Sequence, residues 1–123
     1  MSKVITHHIR MSQADAHYGG DLVDGARILG LFGDVVTEWL ISRDGDEGLF
    51  RAYEKVEFLA PVYAGDYLEV SVELTKLGNT SRTFKFTAYK YIAGSRDPKK
   101  SSSAKYLKNK ILVATAIGTC VVP

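Results

Sequence analysis

Ala16-His17-Tyr18-Gly19-Gly20-Asp21-Leu22-Val23-Asp24-Gly25-Ala26-Arg27 is the stretch that decides the architecture. It is a glycine-rich turn running into the only long amphipathic helix that the sequence predicts, over residues 25–42. Ile28, Leu31, Phe32, Val35, Val36, Trp39 and Leu40 recur there at i, i+3, i+4 and i+7 spacing and make one apolar face. Arg27, Asp34 and Glu38 share a polar flank. Asp21 or Asp24 can cap the start, and Arg43-Asp44-Gly45-Asp46 signals the stop. Gly30 and Gly33 each weaken the helix by roughly 1 kcal/mol relative to alanine. Their presence predicts that another backbone comes close.

Outward from this helix the pattern changes to strand. Residues 3–11 read as an opening strand and 12–24 as loop. Residues 49–59 read as a strand ended by Ala60-Pro61, and Val62-Tyr63-Ala64-Gly65-Asp66 as a turn. Residues 67–76 alternate, with Leu68, Val70, Val72 and Leu74 inward and Glu69, Ser71 and Glu73 outward. Gly78-Asn79 predicts a hairpin into a strand over 81–92 that carries Phe84, Phe86 and Ala88 on one face. The Ser/Lys-rich stretch 94–109 reads as a loop. Residues 110–122, apolar on both faces, predict a strand that lies centrally or under a partner subunit. The fold class is therefore α+β, with one helix across an antiparallel sheet of five to six strands that wraps it. The open sheet edge predicts a dimer or higher oligomer.

With 123 residues, 46% of them hydrophobic, the chain reads as one domain over 1–123 with a small core. A net charge of +2 is too small to argue for a nucleic-acid partner. Arg96, Lys99, Lys100, Lys105, Lys108 and Lys110 nevertheless face a single acid, Asp97, within residues 94–110. That segment is either a solvated basic loop or a landing surface for phosphates. The lone Cys120 allows no internal disulfide and fits a reducing compartment. No apolar run has the length of a signal peptide or a membrane span, so a cytoplasmic protein with no membrane partner is expected.

The first amides of a helix carry partial positive charge and lack intrahelical acceptors. Approached by a loop poor in Cβ atoms, they can receive an oxygen that gains negative charge, as a thioester carbonyl does on its way to an enolate. Three segments bear on this: 15–27 through His17-Tyr18-Gly19-Gly20-Asp21, Gly33-Asp34-Val35-Val36-Thr37-Glu38, and Val56-Glu57-Phe58-Leu59-Ala60-Pro61-Val62 with Gly65-Asp66. Together they resemble the hotdog-fold acyl-CoA proteins, and within them most closely the β-aminoacyl-CoA ammonia lyases of amino-acid fermentation, those acting on 3-aminobutyryl-CoA in lysine degradation or on β-alanyl-CoA. The Phe58–Asp66 motif is shared widely with hotdog thioesterases and speaks to fold more than reaction. The block from His17 to Glu38 favours the lyase. The resemblance implies a homo-oligomer, coenzyme A as part of the substrate, and no separate cofactor or metal. It also implies that Gly78-Asn79-Thr80-Ser81-Arg82 contacts the CoA phosphates. Residues 94–110 match no pattern of the family.

Eliminating ammonia from a β-aminoacyl-CoA requires a base at Cα, donors for the enolate oxygen and a proton for the departing amine. Asp34 and Glu57 are the candidate bases. Asp34 lies off the apolar stripe of the helix and is either a base looking across a subunit boundary or a surface aspartate. Glu57, mid-strand in a sheet expected to be covered on both sides, is either a base or paired with Arg27 or Arg51. Glu38 reads as an orienting group or ion-pair partner. His17 either donates a proton or ties the loop down. Tyr18, Gly19, Gly20 and Gly25 line the oxyanion end. His7 and His8, adjacent on a strand, point to opposite faces and cannot share a metal. A hotdog acyl-CoA thioesterase and a non-catalytic acyl-CoA-binding protein are the alternative readings.

Overall fold

The computed structural model describes residues 3–123. Its main elements are β1 (Val4–Arg10), α1 (Gly25–Asp44), β2 (Leu49–Phe58), β3 (Tyr67–Leu77), β4 (Ser81–Gly94) and β5 (Ala104–Val121). The strands form one sheet in the order β1-β3-β4-β5-β2, and every neighbouring pair is antiparallel. The expected α+β architecture is present, with five strands and with β1 and β2 as the edges.

The apolar stripe explains how α1 seats. Ile28, Leu31, Phe32, Val35, Val36, Trp39 and Leu40 are all buried. They meet the inward residues of β3 (Leu68, Val70, Val72) and β4 (Phe84, Phe86, Ala88), none more than 1% exposed. Phe32 stacks on Phe86 with ring centres 5.0 Å apart, and Trp39 meets Phe84 edge-on at 4.9 Å. Each such side chain contributes about 2 kcal/mol by leaving water. The indole Nε1 of Trp39 donates to the Lys3 carbonyl at 3.0 Å, which satisfies its one polar atom and ties the start of β1 to the helix.

Three expectations need correcting. First, α1 continues to Asp44, where the Gly45 amide bonds the Ile41 carbonyl at 2.9 Å. A carboxylate is unfavourable at a helix C-terminus, but Arg82 approaches Asp44 with Nε and Nη2, each at 3.2 Å. Second, the loop expected over 94–109 is shorter than that, because strand extends into the segment from both ends. The β4–β5 ladder runs through Ile92↔Tyr106 to Gly94↔Ala104, leaving 95–103 as the connection with a 3-10 turn at Pro98–Lys100. Backbone pairing needs no apolar side chains, so a Lys/Ser-rich stretch extends the hairpin with its polar groups in water. Third, β5 lies centrally between β4 and β2 but is covered on one face only. Ala114, Ala116 and Cys120 are buried, whereas the alternate residues Thr115, Ile117 and Thr119 are only partly so. Among the described residues of this chain, no other element approaches Gly30 or Gly33, since a Cβ at either would meet nothing within 4 Å. No helix among the described residues is long and apolar enough to cross a membrane.

Candidate active site

The approach to α1 is a tightly pinned loop. It contains two 3-10 turns, Gln13–Asp15 and Gly19–Asp21. In the second, Gly20 (φ 71) and Asp21 (φ 64) are consecutive left-handed residues, a conformation open to glycine and tolerated by aspartate. The turn rests on residues 61–66. The Val23 amide donates to the Val62 carbonyl at 2.8 Å, and the Ala64 amide to the Asp21 carbonyl at 2.9 Å. Residues 61–66 are held in turn by Asp66, only 1% exposed. Its carboxylate accepts from the Tyr63 and Gly94 amides at 2.8 and 2.9 Å. Lys90 Nζ lies 3.0 Å from Asp66 Oδ2 and donates to the Pro61 carbonyl at 2.9 Å. The Phe58–Asp66 motif thus builds the bed on which the loop lies.

The start of α1 is left open. Asp24 occupies the N-cap position, but its side chain accepts no capping bond. Asp21 instead accepts from Gln13 Nε2 at 2.7 Å, so neither aspartate caps as expected. Arg27 donates its amide to the Asp24 carbonyl at 3.2 Å, while the amides of Gly25 and Ala26 meet no acceptor among the described residues. Two unpaired donors at the positive end of a helix are what a developing oxyanion requires. A Cβ on Gly25 would lie 2.7 Å from the Phe58 ring, which is itself 53% exposed. Phe58 therefore walls the helix start, and Gly25 leaves room for it. His17 and Tyr18 are exposed, with rings edge to face at 5.2 Å. The loop is secured by its backbone rather than by His17. Gly19 has open space around it.

The candidate carboxylates do not gather at this point. Asp34 is exposed on the outer face of α1, nine residues beyond Gly25, or about 14 Å along the axis. It lines a cleft of about 340 Å³ with Gly33, Thr37, Glu47, Phe50 and Cys120. Glu38 Oε1 accepts from His7 Nε2 at 2.8 Å, which makes it a pairing group. His8 sits on the opposite face of β1, 3.2 Å from Glu69. Glu57 is exposed on edge strand β2, just past a bulge where Lys55 has φ 54. The expectation of a covered, arginine-paired Glu57 is therefore corrected: Arg27 Nε lies 2.8 Å from Asp15 Oδ1. Burial opposes ionisation of Asp15, but the Ser12 amide and hydroxyl and the Arg27 charge outweigh it and hold its pKa below the ordinary value. Because Phe58 faces Gly25 and successive strand residues alternate, Glu57 points away from the start of its own helix.

The expected CoA contacts lie elsewhere. Gly78, Asn79, Thr80 and Ser81 form the β3–β4 hairpin, closed by the Gly78 amide on the Ser81 carbonyl at 2.8 Å. Arg82 pairs with Asp44, so this hairpin sits at the C-terminal end of α1. The helix has 20 residues, which separates the hairpin from Gly25 by about 30 Å. Arg82 is 6% exposed, and besides Asp44 it donates to the Ser81 carbonyl at 3.2 Å. Its guanidinium is engaged inside the fold rather than turned out to solvent. A larger cleft, about 790 Å³, opens at the other end beside the Gly19–Asp21 turn, and Arg10, Gln13, Asp21, Tyr67 and Arg96 are among its walls. Of the residues that build this region, Lys90 carries no signal in the sequence, Phe58 and Asp66 enter it only through the Phe58–Asp66 motif, and Arg96 only as one cation of the basic segment. Asp66 closes a turn motif, which is the local signal for its placement.

One helix on this sheet, with open amides where a glycine loop enters it, is the hotdog arrangement, and the chain belongs to the thioesterase superfamily, whose model matches residues 21–91. Among curated proteins it is 60% identical, over 115 residues covering 94% of this chain and 90% of the relative, to the 3-aminobutyryl-CoA ammonia lyase of Acetoanaerobium sticklandii. Among solved structures it is similar to the β-alanyl-CoA:ammonia lyase of Clostridium propionicum, with a TM-score of 0.93 and 41% identity, covering 99% of this chain and 86% of that one. A hexameric hotdog-fold thioesterase of Campylobacter jejuni shares the fold at a TM-score of 0.75 and 19% identity, over 94% of this chain and 79% of its own.

Proposed function

We propose that this chain is a β-aminoacyl-CoA ammonia lyase that reversibly eliminates ammonia from 3-aminobutyryl-CoA, or from β-alanyl-CoA, to give the enoyl-CoA. The observation that carries this reading is the 60% identity to a 3-aminobutyryl-CoA ammonia lyase across 94% of the chain. The open amides of Gly25 and Ala26 suit the chemistry. The thioester oxygen accepts from them, a carboxylate takes the Cα proton, the Cβ–N bond breaks, and the amine leaves as ammonia after gaining a proton. Coenzyme A enters as part of the substrate, and no other cofactor or metal is invoked.

Asp34 and Glu57 remain the bases of this proposal, and His17 the group that carries the amine proton. Since neither carboxylate lies beside its own helix start, the site is assembled between protomers, with amides from one and the base from another. The exposed Leu49 and Phe58 on edge strand β2, 63% and 53% accessible, favour such a homodimer or a higher oligomer. By the same geometry Gly78, Asn79, Thr80 and Ser81 of the hairpin serve a CoA held by a neighbouring subunit, while Arg82 turns inward to Asp44. Tyr18, Gly19, Gly20 and Gly25 form the oxyanion end. A cytoplasmic location fits a CoA-dependent step.

The second reading, an acyl-CoA thioesterase, is favoured by the superfamily match. Crotonyl-CoA, acryloyl-CoA and ammonium separate them. A lyase consumes the enoyl chromophore only when ammonium is present and releases no free thiol. Release of CoA thiol without need of ammonium supports the thioesterase, and thermal stabilisation by CoA with neither signal leaves a binding protein.

A further inference from the structure

We propose that Arg96, on the loop joining β4 to β5, is a positioning residue that sets the conformation of the oxyanion turn. The inference rests on the lyase reading above. The sequence offered Arg96 as one of several cations on a solvated or phosphate-binding loop. Its contacts assign it a different task. Nη2 donates to the Gly20 carbonyl at 2.8 Å, and Nη1 stands 3.9 Å from Asp21 Oδ2. The guanidinium lies over the Tyr63 ring, 3.9 Å from its centre. One side chain therefore grips both left-handed residues of the turn, Gly20 and Asp21, and the aromatic residue of the bed beneath them.

The geometry matters because the turn is strained. A non-glycine residue with positive φ needs surrounding contacts to hold it. Asp21 has three: Gln13 Nε2 on its carboxylate, the Ala64 amide on its carbonyl, and Arg96. Leu22, the next residue, bridges both Tyr18 and Tyr63, and Val23 leads into the helix. A shift at Gly20–Asp21 is thus transmitted over four residues to the open Gly25 amide. At oxyanion distances a displacement of a fraction of an ångström weakens the donors in the transition state. Arg96 is half exposed, with 49% of its side chain accessible, so its charge contact with Asp21 stabilises the fold little. The fixed fork and the stacking plane are what lysine cannot reproduce.

The test compares wild type, Arg96→Ala, Arg96→Lys and, as a control on the same loop, Lys99→Ala. Two measurements are made on each: ammonium addition to crotonyl-CoA, and amide hydrogen exchange over residues 19–26. Arg96→Ala is expected to lower kcat tenfold or more, with CoA affinity and unfolding midpoint unchanged, and to speed exchange over 19–26. Arg96→Lys falls between, and Lys99→Ala behaves as wild type. Unchanged exchange in Arg96→Ala overturns the proposal, as does faster exchange with an unaltered kcat. A raised KM with unaltered kcat also overturns it and makes Arg96 a CoA contact. A wild-type protein inactive towards crotonyl-CoA and ammonium defeats the lyase reading instead, and the exchange data then decide by themselves whether Arg96 holds the turn.

Discussion

Lys90 and Asp66 meet at 3.0 Å with 9% and 2% of their side chains accessible, and this pair fastens the end of β4 to the bed beneath the Gly19–Asp21 turn. Both partners also bond backbone: Lys90 the Pro61 carbonyl, Asp66 the amides of Tyr63 and Gly94. Removing one charge strands the other away from water. Lys90→Met or Asp66→Asn is therefore expected to lose about 3 kcal/mol, as broken buried pairs do. Urea unfolding of the two single variants and the double variant checks this. The double variant should lose less than the sum of the singles, and strict additivity would show that the pair is not coupled.

Arg82 presents the same physics at the other end of α1. Its bond to Asp44, foremost, holds that carboxylate below its ordinary pKa, with burial opposing and the charges of Arg82 and Arg43 assisting. Arg82→Ala should cost about 3 kcal/mol of stability, while the molecules that remain folded keep their CoA affinity and its salt dependence. A variant that folds like wild type but grips CoA more weakly would return Arg82 to the phosphate site.

The fold was readable because it depends on periodicity. The stripe from Ile28 to Leu40 and the alternation from Leu68 to Val72 each name a buried face without knowledge of any distant residue. The loop expected over 94–109 shortens to 95–103 because ladder pairing at Ile92↔Tyr106 is a backbone property that polar side chains neither favour nor advertise. The helix start was legible from Gly19 to Gly25. Its supports were not: Phe58 over Gly25 and Arg96 on Gly20 join residues 33 and 76 positions apart, and only the folded chain reveals such pairs. Arg82 is ambiguous in sequence because a guanidinium beside a turn suits a phosphate and a buried aspartate equally well.

Glu69 makes the acid stability of the sheet testable. The Lys110 hydrogen bond, more than the opposing burial, together with His8, lowers its pKa from 4.5. A depressed carboxylate stabilises the fold fully above its unfolded value, and that contribution is lost as pH falls through the folded one. Glu69→Gln should therefore narrow the stability difference between neutral pH and pH below 4.5, as read from urea midpoints. An identical drop in both proteins would mean that the His8–Glu69–Lys110 cluster contributes nothing.

Cys120 is fully buried, and burial pushes its thiol pKa up to about 11. The thiolate is the reactive form, so the native protein should resist thiol reagents at neutral pH and react with them once unfolded. This matters for distinguishing the two enzymatic readings, because a silent protein thiol makes any signal in the hydrolysis assay that of released CoA. Prompt labelling of the native protein would reveal opening of the cleft between α1 and β2.

The separation of Asp34 from Gly25 along one helix makes a sharper demand on the oligomer. If the amides and the base belong to different protomers, chains carrying Asp34→Asn and chains carrying Gly19→Val should rescue each other. Gly19 has open space around it, so valine there is expected to leave stability within about 0.5 kcal/mol while crowding the oxyanion end. Each variant alone should lose about a hundredfold or more in kcat. Each mixed dimer contains one site with its Gly19 loop and its Asp34 both intact, so random mixing should restore about a quarter of wild-type activity. A site built within one chain gives no rescue, because every chain in the mixture carries one defect. Glu57→Gln in place of Asp34→Asn asks the same question of the other carboxylate, and the variant that both abolishes turnover and is rescued identifies the base.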